Sequence, residues 1–392
     1  MIMSKNNKNF TIKGLSGGHT ASEVMRQINP DVVAAYPITP QSPIIEKFSE
    51  FYAEGKVDTE FVPVESEHSA MSTVVGSSAA GARSMTATAS VGLALMFEVV
   101  NAASGMRLPI VMNIANRALS GPINIHCDHG DSMACRDAGW IQLYSEDAQE
   151  VYENNLLAIR ISEHPDVMLP SMVMQDGFIT SHSLQKVKIY DDEVIRNFVG
   201  EYKPKNFLLK GEAITYGPVA LQDYFFEFKR QQEEGMRNAK KVFKEVSSEL
   251  SQITGKEYNF VEGYKTDDAE TIMVALNSTA GTAKVVVDRL RDKGKKVGLL
   301  KIRMYRPFPY EEVANEIKNA KNVIVLDRAI SFGANPPVAN DIKDVLYDFD
   351  ISLNLQNYIY GLGGRDITEK HIKEAFENAS KKVKNGFIGL RE

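Results

Sequence analysis

Ala34-Ala35-Tyr36-Pro37-Ile38-Thr39-Pro40 is an apolar run halted between two prolines. Its reading decides the fold. Val32 to Tyr36 has the length and composition of a short buried strand. Each proline pushes the residue before it out of the helical region, so Thr39 is held non-helical at that strand's carboxyl end. Helical spacing resumes at Ile44, Ile45 and Phe48, which places Thr39 in a strand-to-helix turn. Open α/β sheets bind their ligands at such turns. Taken alone, Thr39 reads as an N-cap or a plain turn threonine; its company argues for more.

Working downstream, the same rhythm repeats. Glu60 to Val64 reads as a strand, and Glu65-Ser66-Glu67-His68-Ser69-Ala70 opens a small-residue helix through Ala82. Ser84 to Thr88 is the next strand, Ser90-Val91-Gly92-Leu93 a turn, and Leu95, Met96, Val99 and Val100 line a helix. Ile110 to Ile114 is a further buried strand that ends at Asn116 and Arg117. Successive βα units therefore deliver Thr39, Glu67 and Arg117 to one edge. Upstream, the glycine cluster from Gly14 to Ala21 lacks the spacing of a dinucleotide site and the Gly-Lys-Ser/Thr ending of a P-loop, so it reads as a turn opening a helix. Gly121 to Asp137 is polar and aperiodic, a solvated or substrate-facing loop over the edge. Within it His126-Cys127-Asp128-His129 has no established zinc spacing, and no metal is expected in this chain.

The pattern resumes at Trp140 to Tyr144, with a helix from Asp147 to Ile161, a strand from Val167 to Val173 and a turn at Gln175-Asp176-Gly177-Phe178. Periodicity fades between Asp191 and Lys205, and a charged amphipathic pattern from Leu221 to Ile253 predicts a long helix. A second α/β rhythm opens with the strand Thr271 to Leu276 and continues through strands at Lys296 to Ile302 and Asn322 to Leu326, the last strand being Tyr358 to Gly361. Gly361-Leu362-Gly363-Gly364 is followed by Arg365-Asp366 where a phosphate loop needs Lys-Ser/Thr, so it reads as a tight turn. The fold class is α/β with two open parallel-sheet domains, residues 1–262 with a helical extension and residues 263–392.

Composition narrows the function. The chain has 392 residues and a net charge of -6, with no basic excess to bind a polyanion, so nucleic acid is an unexpected partner. No run reaches membrane-spanning length and the first residues lack a signal-peptide core, which points to a cytoplasmic protein and no membrane partner. The two cysteines, Cys127 and Cys135, cannot hold an iron–sulfur cluster of the repeated Cys-x-x-Cys kind. Electrons leaving this protein would need another chain.

Tyr36-Pro37-Ile38-Thr39-Pro40, Glu65 to Ala70, Thr88-Ala89-Ser90-Val91-Gly92-Leu93 and Gln175 to His182 together resemble the α subunit of pyruvate:ferredoxin oxidoreductases. Val297 to Phe308, Val325-Leu326-Asp327-Arg328 and Tyr360-Gly361-Leu362-Gly363 resemble that family's second domain, so the likeness runs the length of the chain in order. The resemblance implies a pyrimidine-binding domain of a thiamine enzyme followed by a transketolase C-terminal-like domain. It implies oxidation of pyruvate or another 2-oxoacid, transfer of the acyl group to coenzyme A and of electrons to ferredoxin, or the reverse synthesis of pyruvate. Glu67 then matches the glutamate on the aminopyrimidine ring, Arg117 the arginine facing the substrate carboxylate, and Thr39 a hydrogen-bonding group for substrate and cofactor, with Ser90 and Gly92 on the cofactor side. Thiamine diphosphate would be shared with a β subunit that carries the diphosphate and Mg2+ half-site, since no Gly-Asp-Gly occurs here. The [4Fe-4S] clusters would also lie in partner subunits, the β subunit among them, with γ and δ subunits completing the complex. Gln41-Ser42 stands where many relatives carry two hydroxyl residues. Two readings remain beside the main one: a relative specific for a branched-chain, aromatic or 2-oxoglutarate substrate, and a non-catalytic scaffold subunit.

Overall fold

A computed structural model describes residues 9–381 and 383–391. Its larger sheet has seven strands in the spatial order Met304–Arg306, Ile141–Tyr144, Ser171–Asp176, Val111–Asn116, Ser84–Thr88, Val32–Ala35 and Glu60–Pro63. All neighbours run parallel except Met304–Arg306, which is antiparallel to Ile141–Tyr144. Every residue of the three central strands Ser84–Thr88, Val111–Asn116 and Ser171–Asp176 is buried. That is the expected state of a parallel sheet covered on both faces, and it explains why these strands read as continuous runs rather than alternations. Their carboxyl ends form one edge, and the residues after them build the site.

The second sheet has six strands, Gly386–Ile388, Asn354–Tyr360, Asn322–Asp327, Thr271–Ala275, Val297–Ile302 and Val261–Tyr264, with the last one antiparallel. The expected boundary at residues 262 and 263 falls inside that antiparallel edge strand. After Val297–Ile302 the chain leaves the second sheet and Met304–Arg306 joins the first, Met304 pairing with Leu143. Charged side chains at this crossing are buried and paired: Lys301 Nζ lies 2.7 Å and Arg303 Nη2 2.6 Å from Glu150 Oε1. Glu150 belongs to helix Ala148–Ser162, whose residues are buried nearly all round because it is packed on several sides, including against helices Gly17–Ile28 and Phe225–Thr254.

Several local expectations change. Ser90–Leu95 is a short helix where a turn was read, because Ala89 is extended and the chain enters helix directly from the strand. Asp192–Val199 is helical where periodicity faded; it is too short for its pattern to stand out, but Ile195, Phe198 and Val199 are buried. The strand expected at Val167 to Val173 is Ser171–Asp176. Phe10–Leu15 pairs antiparallel with Gln185–Tyr190 ahead of the first helix, and Gly386–Ile388 follows what was read as the last strand. No helix of the described residues is long and apolar enough to cross a membrane.

Candidate active site

Glu67 is the first residue of helix Glu67–Ala79, whose N-cap Ser66 accepts the Ser69 N–H. A carboxylate is welcome at a helix start, but this one is turned inward and is only 7% exposed. It lies against the short helix Ser90–Leu95. A Cβ on Gly92 would sit 2.6 Å from Glu67 Oε1 and 2.7 Å from Thr88 Oγ1, so glycine is required there by close approach. The Thr88 hydroxyl is buried without a hydrogen-bond partner. A buried, unsatisfied hydroxyl beside a carboxyl is a costly arrangement that a bound polar ring would relieve.

Arg117 follows Val111–Asn116 and is buried. Its Nη1 donates to Thr39 O at 2.9 Å and its Nε to Asn124 O at 3.0 Å. Thr39 and Arg117, 78 positions apart, are thus joined directly. Burial lowers the Arg117 pKa, while the charges of Asp131 and Glu67 raise it; a guanidinium stays charged regardless. These two bonds leave N–H donors of its planar fork for another acceptor, and Thr39 itself is exposed. Ser90 has a φ of 50°, its N–H donates to Asp131 Oδ2 at 2.9 Å and its hydroxyl donates to Ala118 O. All five expected site residues, Thr39, Glu67, Ser90, Gly92 and Arg117, therefore lie at the same end of the sheet.

The polar loop, read as solvated or substrate-facing, is exposed at Gly121–Ile123, Ile125 and His126 and buried further on. Cys127, Asp128, His129 and Asp131 are all buried. The loop is a seam between the domains: Gly364 N–H donates to Cys127 O at 2.6 Å, Asn124 Nδ2 donates to Gly363 O at 3.0 Å, and a Cβ on Gly364 would collide with His126 Cβ. Asp176 anchors it, 2.9 Å from Arg328 Nη1, 2.7 Å from His129 Nε2 and 3.0 Å from Asn277 Nδ2. Burial would raise the Asp176 pKa, but Arg328 and His129 hold it well below the carboxylate range. Cys127, His129 and Asp176 have ligand atoms close enough to share a metal ion; the guanidinium of Arg328, 3.5 Å from Cys127 Sγ, already supplies positive charge at that point.

Residues 23–248 match the family described as pyruvate flavodoxin/ferredoxin oxidoreductase, thiamine diP-bdg. Residues 269–372 match pyruvate:ferredoxin oxidoreductase core domain II. The chain belongs to the pyruvate:ferredoxin oxidoreductase family. Pyruvate synthase subunit PorA of Thermotoga maritima is 55% identical over 387 residues, covering 96% of this chain and 98% of that protein. Ketoisovalerate oxidoreductase subunit VorA of Pyrococcus abyssi is 41% identical, with 95% of each chain covered. Among solved structures, a 2-oxoglutarate:ferredoxin oxidoreductase from Magnetococcus marinus superposes with a TM-score of 0.71 at 18% identity, over 96% of this chain and 66% of that one. A split gene transketolase superposes at 0.57 and 12% identity, over 95% of this chain and all of its own length. These two likenesses are of fold, and they agree with the α/β architecture of the two sheets.

Proposed function

We propose that the chain is the α subunit of a pyruvate:ferredoxin oxidoreductase and that its larger sheet edge forms the pyrimidine-facing side of a thiamine diphosphate site shared with a β subunit. The observation that carries the reading is the convergence of the inward Glu67 carboxyl, the bare Gly92 backbone beneath it and the Thr39–Arg117 pair at one edge. When bound, thiamine diphosphate supplies a carbon nucleophile for the ketone of a 2-oxoacid and a sink for the electrons released on decarboxylation. Glu67 would hold the ring nitrogen of the aminopyrimidine through its carboxyl, with Thr88 and Gly92 shaping the floor and Ser90 the turn. Arg117 would take the substrate carboxylate in the open part of its fork, and Thr39 a second substrate oxygen. A single arginine beside a neutral hydroxyl suits a monocarboxylate, because a second buried carboxylate would need its own cation.

The overall reaction is pyruvate, CoA and oxidised ferredoxin to acetyl-CoA, CO2 and reduced ferredoxin, or the reverse. Its remaining parts fall to other chains of a cytoplasmic complex: Mg2+ and the diphosphate to β, and the [4Fe-4S] clusters to β and to the further γ and δ subunits. Both cysteines here are buried and free, and no Gly-Asp-Gly is present, which supports that division. Calorimetry separates the shares: thiamine diphosphate with Mg2+ should bind the assembled complex and only weakly the isolated chain. The loaded complex should reduce ferredoxin with pyruvate in preference to 2-oxoisovalerate and 2-oxoglutarate. Tight Mg2+-dependent binding by the isolated chain would contradict the shared site, and a preference for another oxoacid would contradict pyruvate.

A further inference from the structure

Asp131 lies in the short helix Gly130–Ala134, buried beneath the edge, and touches both halves of the site. Its Oδ2 accepts the Ser90 N–H at 2.9 Å and the Arg117 N–H at 3.0 Å. Its Oδ1 accepts Asn116 Nδ2 at 2.8 Å and the Ser132 N–H at 2.7 Å. One carboxylate therefore ties the short helix that carries Gly92 under Glu67 to the strand end that carries Arg117. Ser90 is held in the left-handed region, a conformation that a non-glycine residue keeps only when its surroundings impose it. Asp131 on its N–H and Ala118 on its hydroxyl are those surroundings.

We infer that Asp131 is a positioning residue that fixes the start of the cofactor-side helix and the substrate arginine relative to one another; the inference rests on the function proposed above. Every partner of Asp131 is a hydrogen-bond donor, so an isosteric amide fails in either orientation. Whichever side its NH2 faces, it meets two N–H groups. Asp131→Asn is therefore the test, made in the assembled complex with thiamine content, kcat and pyruvate KM measured together and repeated in an Arg117→Ala background. The expected result is about a 10- to 100-fold loss of kcat/KM with thiamine retained, and a much smaller further loss once Arg117 is gone, since coupled groups are not additive. Asn116→Ala removes one donor while leaving the carboxylate, and should give a smaller loss of the same kind if Asp131→Asn does not assemble. Unchanged kcat/KM in a loaded complex, or equal losses with and without Arg117, would overturn the inference. A wild-type complex inert toward every 2-oxoacid would instead overturn the proposed function.

Discussion

Arg117 shows how one side chain can serve fold and function together. Its bonds to the carbonyls of Thr39 and Asn124 fold its own loop and tie it to the Thr39 turn at the edge, and the rest of its fork is what a planar carboxylate needs. Arg117→Ala should raise the pyruvate KM, with a cost of about 2–5 kcal/mol in kcat/KM from stranding a buried carboxylate. Arg117→Lys should recover only part of it, because an ammonium cannot bind in a fork. Steady-state kinetics on complexes with normal thiamine content measure this, and wild-type pyruvate kinetics for Arg117→Ala would move the carboxylate pocket elsewhere. The placement of Thr39, Glu67 and Arg117 at one sheet edge was legible from the chain because each follows a strand or opens a helix at a βα junction. The network around Asp131 and Asp176 was not: the sequence around Asp131 reads as an aperiodic loop and that around Asp176 as a turn, and their partners are donors from distant segments, Ser90 and Arg117 for one, Arg328 and Asn277 for the other.

At the level of elements, buried parallel strands are the easiest to read, since burial on both faces leaves an uninterrupted apolar signature. Ser84–Thr88 was placed to the residue for that reason. The pieces that escaped are those whose stability comes from elsewhere in the chain. Phe10–Leu15 is exposed along most of its length and is a strand because Gln185–Tyr190 pairs with it. Met304–Arg306 has three residues and is a strand because it reaches back to Leu143 and Gln142 in the larger sheet. Gly361-Leu362-Gly363-Gly364, read as a tight turn, contains the short 3-10 turn Leu362–Gly364 after the strand Asn354–Tyr360. Its glycines answer to docking: Gly363 and Gly364 have φ of 59° and 78°, and the His126 side chain fills the space a Gly364 side chain would need.

Across the whole molecule, the two sheets are locked by buried charge. Glu146 and Glu150 of the first domain meet Lys301, and Glu150 also meets Arg303. Burial pushes the Glu150 pKa up, but Arg303 and Lys301 hold it well below the usual carboxylate range. Glu262, also raised by burial, is brought down to about 2 by Lys301 and Lys284. A carboxylate whose folded pKa is depressed stabilises the fold above its unfolded value and loses that contribution as pH falls through the folded value. The free energy of unfolding of the chain should hardly draw on these groups' titration between pH 7 and 5, and this contribution should be lost as pH falls from 4.5 toward about 2. Urea titrations across that range, with Lys301→Met as the comparison, measure it; an equal acid response in the two proteins would show that the network does not set acid stability.

The central claim is that the Glu67 carboxyl, lodged over Gly92, acts on thiamine diphosphate rather than merely starting a helix. Turnover of the assembled complex carrying Glu67→Gln tests it most directly, with subunit content and bound thiamine measured on the same sample. An amide keeps the shape but cannot exchange the proton that the aminopyrimidine requires. The account predicts an intact complex whose pyruvate-dependent ferredoxin reduction falls by about 10²–10⁴-fold, the scale of a lost general acid–base group. A loss of less than about tenfold in an intact, thiamine-loaded complex would contradict it, and would leave Glu67 as a favourable charge at a helix start.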